Sequence, residues 1–257
     1  MTATEAARAP ARRLVWQRAT VRDVAAETPR VRSLKLDVPD WPGHRAGQHV
    51  DIRLTGEDGY QAQRSYSIAS PPEDELLSLT VERVKNGDVS RYLVDDVRAG
   101  DQFEVRGPIG GYFVWTAADG GPLCLIAGGS GIAPLMAMLR HRARQKNRAP
   151  ATLLYSSRSL DDVIYRRELD VMAARDQGLR ILITLTRQSP VGWSGLRGRI
   201  DRAMLAQACP PPAQAPKIFV CGPTPFVEDV SRFLVELGHD PLGIKTERFG
   251  PSGGQAS

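Results

Sequence analysis

The sequence is short of the residues that build metal and disulfide scaffolds. Its 257 residues hold three cysteines, Cys124, Cys209 and Cys221, far apart in the chain. That number and spread exclude a disulfide scaffold, a zinc site of the CxxC type and an iron–sulfur cluster, which usually takes four thiolates. They also point to a reducing compartment, the cytoplasm. No metal is expected. No apolar run approaches the roughly 18 residues of a membrane helix. The opening MTATEAARAPARR has no apolar stretch behind its charges, so a secretory signal is not expected. Lysine is scarce: 29 Arg stand against 5 Lys, for a net charge of +5. The arginines are dispersed and no nucleic-acid motif accompanies them, so the basic balance does not make a nucleic-acid binder.

What is present reads as a soluble globular chain, 42% hydrophobic and 25% charged, long enough for one large domain or two ordinary ones. No internal repeat is visible. From Leu14 to about Val114 short alternating runs are separated by turn residues such as Trp41-Pro42-Gly43 and Gly56-Glu57-Asp58-Gly59. The pattern predicts a six-stranded antiparallel Greek-key barrel over residues 13–117. One helix interrupts it near Val89–Val97, with Ser90 able to cap its start. The glycine-rich stretch Ala117–Pro122 marks a boundary. Over residues 122–250 apolar strands alternate with amphipathic helices, which predicts a doubly wound parallel sheet of five strands with ligands outside its carboxyl edge. The helices are expected at GIAPLMAMLRHRARQ, DDVIYRRELDVMAAR, IDRAMLAQA and PFVEDVSRFLVELG. Residues 1–12 and 251–257 read as tails.

Six short motifs carry the chemistry. Ala127-Gly128-Gly129-Ser130-Gly131-Ile132-Ala133-Pro134 follows an apolar strand and opens a helix. Small residues let a phosphate approach the backbone, and a helix start offers free N–H groups with partial positive charge. Without a ligand the same segment is a tight strand-to-helix turn, and it is not a strict GxGxxG. In Arg64-Ser65-Tyr66-Ser67 residues two apart share a strand face, so Arg64 and Tyr66 point together, a guanidinium for a phosphate and a ring for a flat group. Gly87-Asp88-Val89-Ser90 sets a second glycine before a short helix. Gly107-Pro108-Ile109-Gly110 is a turn closing the β region. Val220-Cys221-Gly222-Pro223 ends a strand, where a buried structural cysteine is the ordinary reading. Glu247-Arg248-Phe249 stands near the end of the chain.

Taken in this order, the motifs resemble the ferredoxin–NADP⁺ reductase family over roughly residues 13–250, in a stand-alone form without an iron–sulfur domain. The resemblance implies an enzyme, an FAD-dependent NAD(P)H oxidoreductase. Arg64 would hold the FAD pyrophosphate with N–H groups of Gly87, Val89 and Ser90. Tyr66 would lie against the isoalloxazine, Ser67 near its N5, and Ile68 and Val84 beside the flavin. Gly128, Gly129, Ser130 and Gly131 would cradle the dinucleotide, with Ser130 where the family usually has threonine. Cys221 would sit by the nicotinamide, with Gly222 and Pro223 shaping the turn. Ser67, Cys221 and Glu247 form the catalytic set, and Phe249 matches the aromatic that stacks on the flavin.

NADPH is expected in preference to NADH. Thr186-Arg187 resembles the pair that grips a 2′-phosphate, and Arg199 falls where a second basic residue belongs; Ser157-Arg158 also ends a strand at the carboxyl edge. As ordinary surface these arginines would be solvated or paired with Asp161, Asp162 or Asp201. The acceptor must come from outside: ferredoxin, flavodoxin, a haem protein or an oxygenase component, with the chain acting as a monomer. A free-flavin, quinone or ferric reductase is the alternative, and a non-catalytic flavin-binding subunit a third. Five formal positive charges between Arg140 and Arg148 read either as a docking patch for an acidic carrier or as a solvated helix end.

Overall fold

A computed structural model describes residues 14–250, so the expected tails, 1–12 and 251–257, lie outside the described residues. The first half builds β1 (Trp16–Thr28), β2 (Val31–Asp37), β3 (His49–Thr55), β4 (Gln61–Ser67), β5 (Leu77–Glu82), a one-turn helix α1 (Asp88–Arg91) and β6 (Gln102–Ile109). These six strands pair antiparallel in the order β4-β3-β6-β1-β2-β5, and a bridge from Ile68 to Leu79 joins the two ends into a barrel. β6 inserting between β3 and β1 is the Greek-key crossing. Alternation produces the interior: Leu34, Leu36, Val50, Ile52, Leu79, Val81, Phe103 and Val105 all point inward and are buried. Each such side chain contributes roughly 1.5–3 kcal/mol by leaving water.

The expected helix at Val89–Val97 is split into α1 and a π-type turn over Tyr92–Asp96. Ser90 is not its cap. Gly87 holds the N-cap position, and the Ser90 hydroxyl donates to the Gly87 carbonyl while accepting from the Val84 N–H. The hydroxyl thus closes the loop between β5 and α1.

The second half builds β7 (Leu123–Gly128), α2 (Ile132–Arg144), β8 (Ala151–Ser157), α3 (Arg166–Arg175), β9 (Leu179–Leu185), β10 (Leu196–Arg197), α4 (Arg202–Ala208), β11 (Lys217–Pro223), α5 (Thr224–Glu236) and β12 (Ile244–Phe249). The parallel sheet has six strands, in the order β10-β9-β8-β7-β11-β12, not the expected five. The extra strand, β10, is two residues long and pairs with Thr184 and Leu185, too short to leave a periodic trace. β7 is buried at every residue, as a central strand covered on both faces must be. The chain winds outward from β7 through β8 and β9, then returns to the other side of β7 as β11. The strand order therefore reverses beside β7, where ligand crevices form. Among the described residues no helix is long and apolar enough to cross a membrane.

α3 starts later than its periodicity suggests. Val163, Ile164 and Tyr165 are buried, and Tyr165 takes a left-handed backbone, φ 59°, which a right-handed helix cannot contain, so the helix begins after it. Its hydroxyl meets Thr80 of the barrel, its N–H donates to Glu27, and Arg140 lies over its ring. Val31, Ala46 and Ala69 of the barrel share one apolar cluster with Leu125, Ile132 and Met136 of the α/β half, so the core runs through the seam.

One expectation is overturned and one open reading narrows. Cys124 in β7 and Cys209 after α4 form a disulfide, with Cα atoms 5.7 Å apart, across 85 residues. Distance along the chain did not keep them apart, because α4 packs on the sheet, and the argument for a reducing compartment loses its premise. The cations ending α2 are largely consumed inside the molecule. Arg140 pairs with Glu168, buried Arg142 with Asp176, and Arg144 with Asp74. Only Lys146 and Arg148 of the five lack an ion pair among the described residues, which removes most of the supposed docking patch.

Candidate functional site at the seam of barrel and sheet

β4 carries Arg64, Tyr66 and Ser67 along the barrel's edge. Arg64 is exposed, donates only to the neighbouring Gln63 carbonyl at 2.6 Å, and makes no ion pair among the described residues. Burial pushes the Tyr66 phenol up, and the nearby Arg64 charge opposes it. Ile68 and Val89 are fully buried and spend their side chains on the barrel core, whereas Val84 is exposed. An unpaired guanidinium, a phenol ring beside it and the uncapped start of α1 are a donor set that fits a pyrophosphate joined to a flat ring.

Ser67 reaches across the seam. Its hydroxyl faces the Glu247 carboxyl of β12, and the Cys221 thiol lies 3.9 Å from Oε2 of that carboxyl. Strand register makes the meeting: Cys221 and Glu247 are direct partners between β11 and β12. Burial pushes the Glu247 carboxyl up to about 7, against the weaker pull of the Cys221 and Ser67 hydrogen bonds. Burial, and then the Glu247 charge, raise the Cys221 thiol well above its ordinary range. Cys221 thus stays a neutral thiol at neutral pH, while Glu247 is about half protonated there.

His49 completes the cluster and was missed from the sequence. Its Nδ1 lies 3.9 Å from Glu247 Oε1, and burial lowers its pKa, with Asp51 pulling the other way. The signal was there in the hairpin. The turn at Gly56–Tyr60 pairs Thr55 with Gln61, and counting back along both strands pairs His49 with Ser67.

On the sheet side, β7 runs through Gly128 into a 3₁₀ turn, Gly129–Gly131, that opens α2 without a side-chain cap. A Cβ on Gly131 would stand 2.2 Å from the Cys221 carbonyl oxygen, so only glycine lets this turn press against β11. That contact ties the cradle to the Cys221 position. Gly222 leaves room for the Phe226 ring, which a Cβ would meet at 2.5 Å. Pro223 and Phe249, partners between β11 and β12, line the same cleft. The bare N–H groups above Gly129 form an anion cradle of the kind a dinucleotide pyrophosphate takes.

Thr186 lines that cleft together with Arg158 and Asp162. Arg187 and Arg199 are exposed and lie outside its lining; the Arg187 N–H donates to the Arg158 carbonyl at 2.9 Å. Of the residues expected to hold a 2′-phosphate, Thr186 lines this cleft with Arg158, and Arg187 and Arg199 stand outside it.

Comparison with known proteins agrees with this architecture. Residues 19–114 match the oxidoreductase FAD-binding domain and residues 125–232 the oxidoreductase NAD-binding domain. The glycine betaine monooxygenase reductase subunit of Pseudomonas aeruginosa is 34% identical over 212 residues, 81% of this chain and 57% of that protein. The chain thus spans little more than half the length of that relative. NADH-cytochrome b5 reductase 1 of Aspergillus terreus is 33% identical over 208 residues, 78% of this chain and 69% of its own. Among solved structures, the FAD/NAD-binding domain of nitric oxide dioxygenase from Vibrio cholerae superimposes with a TM-score of 0.81 at 27% identity, covering 91% of this chain and 99% of that one. With an FAD-binding barrel, an NAD-binding sheet and the Ser67–Glu247–Cys221 cluster at their seam, the chain belongs to the ferredoxin–NADP⁺ reductase family of oxidoreductases.

Proposed function

We propose that the chain is a reductase drawing on NAD(P)H, NADPH by preference, and delivering electrons to a separate acceptor: ferredoxin, flavodoxin or an oxygenase component. The observation that supports this most is the convergence of Ser67 from the barrel with Cys221 and Glu247 from the sheet, beside the Gly128–Gly131 cradle. FAD, when bound, supplies the chemistry, accepting a hydride and releasing its electrons singly. The residues supply place and proton. Arg64 and the N–H groups at Val89 and Ser90 hold the flavin pyrophosphate, Gly87, whose own N–H is spent on the Val84 carbonyl, shapes the turn, and Tyr66 faces its ring. Ile68 and Val84 flank it through the backbone. Gly128, Gly129, Ser130 and Gly131 hold the dinucleotide, and Gly222 and Pro223 steer its nicotinamide end past Cys221. The Ser67 hydroxyl and the Glu247 carboxyl flank the reacting edge, where Glu247 retains a proton up to about pH 7. Phe249, packed against Pro223, must yield for a nicotinamide to lie flat.

The test is optical. The purified protein should be yellow and should bleach when NADPH is added without oxygen, and addition of an oxidised ferredoxin should restore the colour. A protein that takes up no FAD would overturn the Arg64, Tyr66 and Ser90 assignment. Recolouring by free flavin, quinone or ferric chelates but by no carrier protein would give the acceptor to the alternative, small-molecule reductases.

A further inference from the structure

Glu82 ends β5 and stands across the seam from the cradle. Its Oε2 accepts the Ser130 hydroxyl at 2.9 Å. A Cβ on Gly129, whose open side marks the cradle, would find that same oxygen at 4.0 Å and no other atom nearer. The carboxylate thus lies over the open side of Gly129, held there by the Ser130 hydroxyl. On its far side Oε1 lies 3.9 Å from Arg30 Nη2, a guanidinium that also donates to the Arg83 carbonyl at 3.1 Å. Glu82 and Arg30 both line the cleft, which encloses about 190 Å³. Small-molecule sites usually offer roughly 300–1,000 Å³. Glu82 thus brings into the cleft the charge sign of the expected ligand.

We propose that Glu82 is an internal competitor for the pyrophosphate cradle, and that a dinucleotide enters when the Glu82 side chain leaves Ser130 for Arg30. This rests on the assignment of Gly128–Gly131 as the dinucleotide cradle. Glu82 then sets the affinity for the dinucleotide without touching its nicotinamide end. A carboxylate beside a pyrophosphate is repelled by it, and the repulsion weakens with salt. Arg30 relieves it by taking the displaced charge.

The experiment is calorimetric titration of the flavin-loaded protein with ADP-ribose and with NADP⁺, using adenosine as the probe without phosphates. Glu82→Gln keeps the shape and removes the charge. It should bind ADP-ribose and NADP⁺ about tenfold more tightly than the parent at low salt, an order of magnitude being 1.4 kcal/mol. The gap should close in molar salt, where screening acts within about 3 Å, and adenosine should bind both proteins alike. Arg30→Ala should weaken binding in the parent and have little effect in Glu82→Gln. Equal or weaker binding by Glu82→Gln would overturn the competitor role, and an equal loss from Arg30→Ala in both backgrounds would overturn the relay to Arg30. A parent that binds adenosine but neither phosphate-bearing probe, with Glu82→Gln no better, would instead overturn the cradle assignment itself. Matching melting curves and flavin contents show that the variants fold.

Discussion

Replacing Glu247 with glutamine tests whether the seam holds a proton at neutral pH. The carboxyl titrates at about 7 in the folded chain, against an ordinary value of 4.5. The folded state therefore binds more protons than the unfolded state between those two values, and stability falls as pH rises through that window. At 1.36 kcal/mol for each pH unit, the loss attributable to this one group is about 3 kcal/mol. It is a ceiling, since 24% of the side chain remains exposed. Glutamine has the same shape and no charge to bury. Melting curves of the flavin-loaded parent and of Glu247→Gln at pH 5, 6, 7 and 8 isolate the effect as a difference, free of the other titrating groups. The variant should match the parent near pH 5 and exceed it by on the order of 5–10 °C at pH 8, from roughly 2–4 °C for each kcal/mol in a chain of this size. Parallel curves across the whole range would show that Glu247 ionises normally, and the account of a raised carboxyl beside Ser67 and Cys221 would fail.

Four further predictions follow from the geometry. Arg64→Ala should lower flavin retention after gel filtration by on the order of tenfold to a hundredfold, because charge-assisted hydrogen bonds contribute roughly 1.5–3 kcal/mol, while the melting of flavin-free protein stays unchanged. Gly131→Ala forces a Cβ to within 2.2 Å of the Cys221 carbonyl; it should cost about 1–3 kcal/mol in stability and abolish dinucleotide binding while FAD is kept. Thiol titration of denatured protein should find one free thiol without reductant and three with it; opening the Cys124–Cys209 bridge, which closes an 85-residue span, should remove about 4–5 kcal/mol of stability on the chain-entropy account, and three thiols without reductant would refute the pairing. Arg158→Ala should raise KM for NADPH well above its effect on NADH and exceed the effect of Arg199→Ala; the reverse order would return the 2′-phosphate to Arg199.

Much of the architecture is local and so is legible in the chain. Alternation at Leu34, Leu36, Val50 and Ile52 specifies strands with one buried face, and the apolar strand before Gly128 specifies a parallel strand running into a phosphate turn. Hairpin length alone pairs His49 with Ser67. These features depend on residues within a few positions of one another, where backbone geometry dictates the outcome. What only the tertiary structure decides involves groups that meet after long separations. Cys124 meets Cys209 because α4 lies on the sheet; Arg140, His141 and Arg144 find Glu168, Glu73 and Asp74 rather than solvent. Tyr165 abandons helical geometry for Thr80, and two residues at Leu196 become a strand because Thr184 is beside them. The same holds for the chemistry. The sequence determined that Ser67, Cys221 and Glu247 exist in motifs. The raised Glu247 carboxyl, the nearby His49 and the carboxylate of Glu82 at the cradle come from the packing of one sheet against another, because burial and charge act through space and leave no periodic mark along the chain.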